Sequence, residues 1–331
     1  MRVVIDAAIP YIHGILEKYA EVSYLASSDI TPMAIKEADA LIIRTRTKCD
    51  SKLLNSSKVK FIATATIGTD HIDLSYCAAN GIQVFSAQGC NARGVLQWVG
   101  AALRHILISK NSTPQEHTLG VVGVGNVGSL VSEYARHWGF RVLECDPPRK
   151  EREGGEFYTI EEIVRNCDII TLHTPLDSTT HHLINKHIID NMRPNAIIIN
   201  ASRGAVVDNR AVMQSGHGYI FDVWEEEPNI PSDILSNAIL ATPHIAGYSA
   251  QGKANASAMC INALAKHFEL PIRDWYPAEV TPTTPQLISW GELCDTLPQH
   301  YDIIAESNTL KSNPEQFESL RNNYTYRQEW F

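Results

Sequence analysis

The fold is decided by residues 119–128, which read LGVVGVGNVG. The apolar run Leu119–Val122 has the composition of a buried strand, and the pattern G-x-G-x-x-G follows it directly. Beyond the glycines, apolar side chains recur at helical spacing as far as Trp138. A glycine turn between a strand and a helix is the context in which this pattern binds the pyrophosphate of a dinucleotide.

The positions within this pattern have separate expected roles. Gly123 makes the tight turn, Gly125 lets the backbone approach a pyrophosphate, and Gly128 lets the helix pack closely against the strand. Asn126 and Val127 open the helix, whose N-terminal N–H groups and positive dipole end would face the phosphates. The alternative is a glycine turn with a purely structural role.

An acidic residue closes the next apolar run. Gly139 ends the helix, Phe140–Cys145 is typical of a second strand, and Asp146 follows it. A carboxylate at this place can accept hydrogen bonds from an adenosine ribose and would repel a 2′-phosphate. The sequence therefore favours NAD over NADP as the cofactor.

Composition and charge exclude several classes of function. The 331 residues suffice for two domains of ordinary size. The net charge of −9 argues against a nucleic-acid or membrane-surface partner, and it requires local cations to hold any anionic substrate. No apolar run approaches the roughly 20 residues of a membrane span.

Cysteine and histidine placement gives two further expectations. The seven cysteines are scattered and form no C-x-x-C pair, which predicts reduced thiols in a cytoplasmic protein. The clustered histidines His181, His182 and His187 lack carboxylate or thiol partners at ligand spacing. No metal site is therefore predicted.

Strand-like and helix-like segments alternate, which is the pattern of a parallel sheet with helices on both faces. The first part predicts strands at 2–6, 22–25, 39–44, 60–65 and 82–85, and helices at 10–18, 73–79 and 92–109. The second part predicts strands at 118–122, 140–145, 168–173, 196–200, 218–222 and 239–241, and a helix at 249–268. Residues 281–285 read as a linker, and the polar tail beyond them is expected to pack on the body or on a second subunit.

Three residues with chemical potential follow neighbouring predicted strands. Arg203 follows the strand at 196–200, Glu227 lies in the acidic turn after 218–222, and His244 follows 239–241. Ligands of doubly wound sheets lie at the carboxyl ends of the strands. These side chains are therefore expected to meet beside the nicotinamide.

Each of these residues suits one part of an alcohol oxidation. His244 can take the hydroxyl proton, Glu227 can hold its other ring nitrogen, and Arg203 can grip a substrate carboxylate with two hydrogen bonds. Asp222 would reach the carboxamide end of the cofactor. The alternatives are a helix-capping arginine, a solvated acidic turn, a structural histidine and a turn-capping aspartate.

A cationic cluster could hold a substrate phosphate. Arg44, Arg46 and Lys48 lie at the end of the strand predicted at 39–44, and Lys253 near a helix start is a further candidate. The alternative is an exposed strand end with no ligand.

Five motifs resemble the D-isomer-specific 2-hydroxyacid dehydrogenases. The motifs are Gly123–Gly128, His173–Leu176, Asn200–Gly204, Asp222–Glu225 and Pro243–Gly247. The resemblance extends from Met1 to about Pro277, and it implies that Arg203, Glu227 and His244 are the catalytic residues. It also implies an α/β fold of two flavodoxin/Rossmann-like, doubly wound parallel-sheet domains, with the cofactor domain inserted into the substrate domain.

The resemblance also implies a division of the chain. Residues 1–91 and 250–280 would form the substrate-binding domain, and residues 92–249 the NAD-binding Rossmann domain. Residues 281–331 resemble a short C-terminal α+β dimerisation segment, which implies a homodimer.

Within the family, the chain is most similar to members that oxidise 4-phospho-D-erythronate. Four features carry that likeness: residues 65–73, residues 88–92, residues 145–149, and residues 244–249 followed by 252–254. It implies NAD-dependent formation of 2-oxo-3-hydroxy-4-phosphobutanoate in pyridoxal 5′-phosphate biosynthesis. The implied substrate contacts are Thr45, Thr66 and Tyr248. The implied NAD contacts, besides the glycine turn, are Asp146, Thr174, Ala201, Ser202, Arg203, Asp222 and Gly247.

Two other functions are compatible with these residues. One is oxidation of a different 2-hydroxy acid, such as 3-phosphoglycerate or glycerate. The other is a non-catalytic scaffold that senses NAD(H) and binds a partner protein.

Overall fold

A computed structural model describes all residues, 1–331, and the chain divides into two compact units. The first unit comprises Met1–Asn91 and Ser249–Pro282, and the second comprises Ala92–Tyr248 and Thr283–Phe331. The C-terminal segment thus folds as part of the second unit.

The first unit is built on a five-stranded sheet. Its strands are β1 (Arg2–Asp6), β2 (Glu21–Leu25), β3 (Ala40–Ile43), β4 (Phe61–Thr64) and β5 (Gln83–Ser86). Its helices are α1 (Pro32–Ile35), α2 (Ser51–Leu54), α3 (Leu74–Ala79) and, later in the chain, α11 (Ala250–His267). All neighbours pair in parallel in the order β2-β1-β3-β4-β5, which is the flavodoxin order. The expectation of a flavodoxin-like parallel sheet is confirmed.

The helix predicted at 10–18 is absent, and that prediction is wrong. These residues form successive turns, with Tyr11 and Gly14 at positive φ (59° and 86°). Ile12 and Leu16 are fully buried four residues apart, so their spacing imitates a helical face. Their apolar side chains instead anchor a loop to the core.

The second unit is built on a six-stranded parallel sheet. Its strands are β6 (Thr118–Val122), β7 (Arg141–Cys145), β8 (Ile169–Leu172), β9 (Ile197–Asn200), β10 (Gly218–Phe221) and β11 (Leu240–Ala241). Its helices up to the last strand are α4 (Ala92–Lys110), α5 (Asn126–Trp138), α6 (Pro147–Glu153), α7 (Ile160–Asn166), α8 (Lys186–Ile189), α9 (Asn209–Ser215) and α10 (Ser232–Asn237). Short 3₁₀ turns occur at Ser27–Asp29, Pro114–Glu116, Gly204–Val206 and Pro314–Gln316.

The strand order of the second unit indicates the edge of its sheet at which a ligand would bind. The order is β11-β10-β9-β8-β6-β7, so the direction of strand addition reverses at β6. The pairs Val122–Leu172, Leu172–Asn200 and Asn200–Phe221 bring the carboxyl ends of β6, β8, β9 and β10 into register. Residues that follow these strands therefore begin at one edge of the sheet, beside the switch point that binds ligands in such folds.

The C-terminal segment is helical, and the β part of the α+β prediction for it is wrong. It contains α12 (Trp290–His300), α13 (Ile303–Ser312) and α14 (Phe317–Asn322), and no strand. Trp138 Nε1 donates to the Ile288 carbonyl at 3.0 Å, and the Tyr134 hydroxyl donates to Gln286 at 2.6 Å. Phe331 is fully buried. Aromatic side chains thus give this polar tail a shared core with α5.

Two expectations from the sequence concern the state of the cysteines and the presence of a membrane-spanning helix. All seven cysteines are unpaired thiols, and six of them are buried. None of the helices combines the length and apolar character that crossing a bilayer requires.

Candidate active site

The three glycines of the turn after β6 meet three different surroundings. Gly123 has φ +83°, and a Cβ there would lie 2.8 Å from the carbonyl group of His173. A Cβ on Gly128 would lie 1.9 Å from the Gly123 oxygen, so only glycine permits the close approach of α5 to the turn. Gly125 faces open space, with nothing within 4 Å of such a Cβ. The first and third glycines serve packing, and the second leaves room for a ligand.

Features around this turn fit a bound dinucleotide. The N-cap Gly125 provides no side-chain cap, and Gly125 and Asn126 are exposed, so the first N–H groups of α5 point to an accessible anion site. After β8, Thr174 Oγ1 and His173 Nδ1 are buried with no hydrogen-bond partner. A polar ligand at this edge would supply the missing partner.

Asp146 ties the glycine turn to the next helix. Its Oδ2 accepts from the Val124 N–H at 2.8 Å, and its Oδ1 accepts from the Arg149 N–H at 2.9 Å. Arg149 also donates to the Val124 carbonyl at 2.8 Å and pairs with Glu153 at 2.8 Å. The carboxylate predicted to bind ribose is therefore held in a fixed orientation, and Arg149 beside it was missed by sequence reasoning.

The turn after β9 holds Arg203. The Asn200 side chain accepts from the Ser202 N–H at 3.0 Å and donates to the Arg203 carbonyl at 2.9 Å, which closes the turn. Arg203 Nη1 also donates to the Ser202 carbonyl at 2.8 Å. A Cβ on Gly204 would lie 2.0 Å from the carbonyl carbon of Trp224, so this turn lies directly against the one after β10.

Asp222 organises the loop that carries the histidine. Only 1% of it is exposed, and its Oδ1 accepts from the Thr242 hydroxyl at 2.6 Å and the Ile245 N–H at 2.8 Å. Its Oδ2 accepts from the Ala246 N–H at 2.9 Å, while its own carbonyl accepts the His244 N–H at 2.8 Å. These bonds position the loop after β11, and the predicted contact with the nicotinamide carboxamide stays a prediction.

His244 and Glu227 are in direct contact. His244 Nδ1 lies 2.8 Å from Glu227 Oε2, and Glu227 Oε1 accepts from the Trp224 N–H at 2.9 Å. Burial raises the pKa of Glu227, but the neighbouring His244, the Trp224 N–H and the charge of Arg321 together hold that pKa below its usual value. The carboxylate is therefore ionised and braces one ring nitrogen, which leaves Nε2 for chemistry.

The structure separates Glu227 from the two acids before it. Glu225 accepts from the Asn209 N–H at 3.0 Å and lies 2.6 Å from His182, whereas Glu226 lies 3.7 Å from exposed Arg210. The Glu227 side chain is only 19% exposed. The alternative of a uniformly solvated acidic turn therefore does not hold for this residue.

Tyr248 ends the same loop and is surrounded by the C-terminal segment. Its ring makes edge contacts with Tyr324 and Tyr326, with centroids 6.1 Å apart in both pairs. Arg321 of α14 hydrogen-bonds to Tyr248, and its Nη1 lies 4.0 Å from Glu227 Oε2. Sequence reasoning missed Arg321, because nothing in the tail's composition links it to a loop so far away in the chain.

Ala201 and Gly247 belong to the same edge of the second unit. Ala201 is the first residue after β9, and Gly247 follows the three N–H groups of the histidine loop. Both are partly exposed. Their roles in NAD binding stay predictions.

The first unit carries the other predicted substrate contacts. Thr45 is exposed after β3, and Thr66 follows β4, with its hydroxyl 2.6 Å from that of Thr64. Since β3 and β4 are neighbours, both threonines lie at the carboxyl edge of this sheet.

The cations nominated for a phosphate differ in their surroundings. Arg44 donates from Nε and Nη2 to the buried carboxylate of Asp6, at 3.1 and 3.3 Å. Lys48 lies 3.5 Å from Asp50 and is 80% exposed. Arg44 thus compensates a buried charge, and the roles of Arg46 and Lys253 in phosphate binding stay predictions. No group of three or more His, Cys, Asp or Glu is arranged to hold a metal ion.

Comparisons with known proteins agree with this geometry. The family profile "D-isomer specific 2-hydroxyacid dehydrogenase, NAD binding domain" matches residues 99–246. The NAD⁺-bound 3-phosphoglycerate dehydrogenase of Entamoeba histolytica is 26% identical, with a TM-score of 0.69 over 81% of this chain and 95% of that chain. The chain belongs to the D-isomer-specific 2-hydroxyacid dehydrogenase family, and it is an oxidoreductase that uses NAD.

More similar relatives share one specific name. The erythronate-4-phosphate dehydrogenase of Bacteroides thetaiotaomicron is 44% identical over 99% of this chain and 97% of its own length. The erythronate-4-phosphate dehydrogenase of Porphyromonas gingivalis is 37% identical over 99% of this chain and 94% of its own. The expected resemblance to this group is confirmed, and the alignment covers 99% of the chain.

Proposed function

We propose that this protein oxidises 4-phospho-D-erythronate to 2-oxo-3-hydroxy-4-phosphobutanoate with NAD, a reaction of pyridoxal 5′-phosphate biosynthesis. The observation that carries the chemistry is the 2.8 Å contact between His244 Nδ1 and Glu227 Oε2 at the ligand edge of the sheet. Full-length identity of 44% to a protein named for this substrate supports the choice of substrate.

Residues of the second unit would hold the cofactor. Gly125, Asn126 and Val127 would present backbone N–H groups to the pyrophosphate, and Asp146 would accept from the adenosine ribose. The remaining proposed contacts, near the nicotinamide end, are Thr174, Ala201, Ser202, Arg203, Asp222 and Gly247. When bound, NAD supplies the acceptor for the hydride that leaves C2.

The protein's own residues handle the proton and the charge. His244 Nε2 takes the proton of the C2 hydroxyl, while the C2–H electron pair departs with the hydride and the C2–O bond becomes a carbonyl. Glu227 fixes the ring tautomer that leaves Nε2 unprotonated, and its negative charge stabilises the imidazolium that forms. Arg203 orients the substrate carboxylate by a planar pair of hydrogen bonds.

The substrate also has proposed contacts outside this set. The resemblance supports further substrate contacts through the hydroxyls of Thr45, Thr66 and Tyr248. We further propose a cytoplasmic homodimer, which the free thiols and the dimerisation segment implied by the resemblance support. Sedimentation of the purified protein at several concentrations tests the oligomeric state, since a monomer at all of them would contradict it.

A substrate panel tests the proposed reaction. Reduced nicotinamide is measured by its fluorescence with 4-phosphoerythronate, 3-phosphoglycerate and glycerate in turn. We expect 4-phosphoerythronate to give the highest kcat/KM, and His244→Ala to reduce turnover about 10²–10⁴-fold while NAD still binds. His187→Ala, at an exposed position of the same unit, is the matched control and should be unaffected.

Each alternative predicts a different result in this panel. A preference for 3-phosphoglycerate or glycerate would replace the proposed substrate by another 2-hydroxy acid. Tight NADH binding with no turnover of any acid would favour a sensing scaffold instead of an enzyme.

A further inference from the structure

The C-terminal segment brings a cation to the active-site edge. In α14, Phe317 is buried in the core of the second unit, and Arg321 lies one turn later on the same helical face. Its Nη1 lies 4.0 Å from Glu227 Oε2, and 21% of its side chain is exposed. The guanidinium is therefore anchored from behind and accessible to a small ligand.

The contacts of Arg321 leave room for a ligand. The 4.0 Å approach to Glu227 is longer than a hydrogen bond, and that carboxylate already accepts from His244 and the Trp224 N–H. Arg321 also hydrogen-bonds to Tyr248, a predicted substrate contact. A guanidinium has five N–H donors in a fixed fork, so these two neighbours do not exhaust it.

The substrate needs a cation of this kind. A net charge of −9 opposes a trianionic substrate, so its phosphate requires local positive charge. Of the four cations predicted from the sequence, Arg44 compensates buried Asp6 and Lys48 is mostly solvated beside Asp50, while Arg46 and Lys253 stay predicted contacts. Arg321 instead lies 4.0 Å from His244's carboxylate partner and hydrogen-bonds to Tyr248, a predicted substrate contact.

We propose that Arg321, together with the Tyr248 hydroxyl, binds the phosphate of the substrate, so that the C-terminal segment sets the specificity for a phosphorylated acid. This inference rests on the proposed function, in which His244 acts on C2 and Arg203 holds the carboxylate. Two carbons and one ester oxygen separate C2 from the phosphorus, so the phosphate lies within a few ångströms of the reacting atom. A planar guanidinium is suited to grip it with two parallel hydrogen bonds.

The test compares substrates with and without the phosphate. For Arg321→Gln we expect kcat/KM with 4-phosphoerythronate to fall at least about 100-fold, because two charge-assisted hydrogen bonds are lost. With unphosphorylated erythronate the loss should be at least about 10-fold smaller, because only the effect of the Arg321 charge on Glu227 and Tyr248 remains. Arg321→Lys should recover part of the loss, since it restores the charge without the fork.

A control variant and two measurements separate a loss of binding from a change in net charge or a loss of folding. Arg165→Gln removes an exposed cation from α7 and controls for the change in net charge. Calorimetric titration of 4-phosphoerythronate into the protein saturated with NADH should show the affinity loss in Arg321→Gln without any turnover. Near-UV circular dichroism establishes that the variant is folded.

The outcomes distinguish this inference from the proposed function. Equal losses with both acids, or no loss with either, would overturn the assignment of Arg321 to the phosphate. A wild-type protein that does not oxidise 4-phosphoerythronate would refute the proposed function itself, and this inference with it.

Discussion

Replacing Glu227 by glutamine removes one charge and almost no volume from the active site. The carboxylate accepts from His244 Nδ1 at 2.8 Å and from the Trp224 N–H at 2.9 Å. A glutamine can still accept with its amide oxygen, but its NH₂ group must then face the other donor. The Glu227→Gln variant therefore keeps the packing and loses both the charge and one of the two bonds.

The size of the effect follows from these contacts. A hydrogen bond to a charged group contributes about 1.5–3 kcal/mol. The Coulomb attraction of two unit charges about 4 Å apart near a protein surface is about 4 kcal/mol, which sets an upper bound. Since each 1.36 kcal/mol is tenfold in rate, kcat for oxidation should fall about 10- to 200-fold.

The assay is steady-state formation of NADH from 4-phosphoerythronate over a range of pH. The imidazolium that forms on proton transfer is less stabilised in the variant, so the maximum of kcat/KM should fall. Glu226→Gln is the matched control, because Glu226 is exposed and lies 3.7 Å from Arg210. A Glu227→Gln enzyme within about 3-fold of wild type at every pH would refute the reasoning.

Four other predictions follow from the geometry. Gly128→Ala should lower Tm sharply, because its Cβ would lie 1.9 Å from the Gly123 oxygen, whereas Gly125→Ala should keep Tm and weaken NADH binding measured by fluorescence. Asp222→Ala should cost about 3–5 kcal/mol in urea unfolding, because buried N–H groups of the histidine loop lose their acceptor. Burial raises the pKa of Glu306 to about 7 from its ordinary 4.5, so the folded state favours the protonated side chain. The stability that depends on protonated Glu306 is present below pH 4.5 and is lost as pH rises through 7. Glu306→Gln should therefore be more stable than wild type at pH 8, by about 1–3 kcal/mol, and equal to it at pH 4; a constant difference across that range would contradict this. In competition between cofactors, Asp146→Ser should narrow the preference for NAD over NADP, and an unchanged preference would remove Asp146 from cofactor selection.

The sequence predicts the scaffold well because strand ends and apolar periodicity are local. The apolar runs that flank the glycine pattern become β6 and β7, and polar residues after them begin at the predicted edge. Because β9 and β10 pair in parallel, Arg203 and the acidic turn after β10 begin at the same edge of the sheet. The contact between Glu227 and His244 follows from two strand ends on one sheet, which explains why it could be proposed from one chain.

Features that depend on distant parts of the chain could not be predicted. Ile12 and Leu16 have helical spacing, but a proline and a glycine near them favour turns. The positions of Ile12 and Leu16 are determined by the burial of their side chains in the core. Arg44 has the pattern of a ligand-binding cation, and only the fold places Asp6 beside it. Arg321 reaches the active-site edge through the packing of the tail, for which the sequence has no local signal.

The most direct test of the account is a single-turnover measurement of hydride transfer with excess enzyme, NAD and 4-phosphoerythronate. Wild type should produce one equivalent of NADH, while His244→Ala should slow that step at least about 100-fold with NADH affinity unchanged, and Arg203→Gln should slow it by a similar factor. Hydride transfer at the wild-type rate in the His244 variant would contradict the claim that this imidazole, braced by its carboxylate, takes the proton.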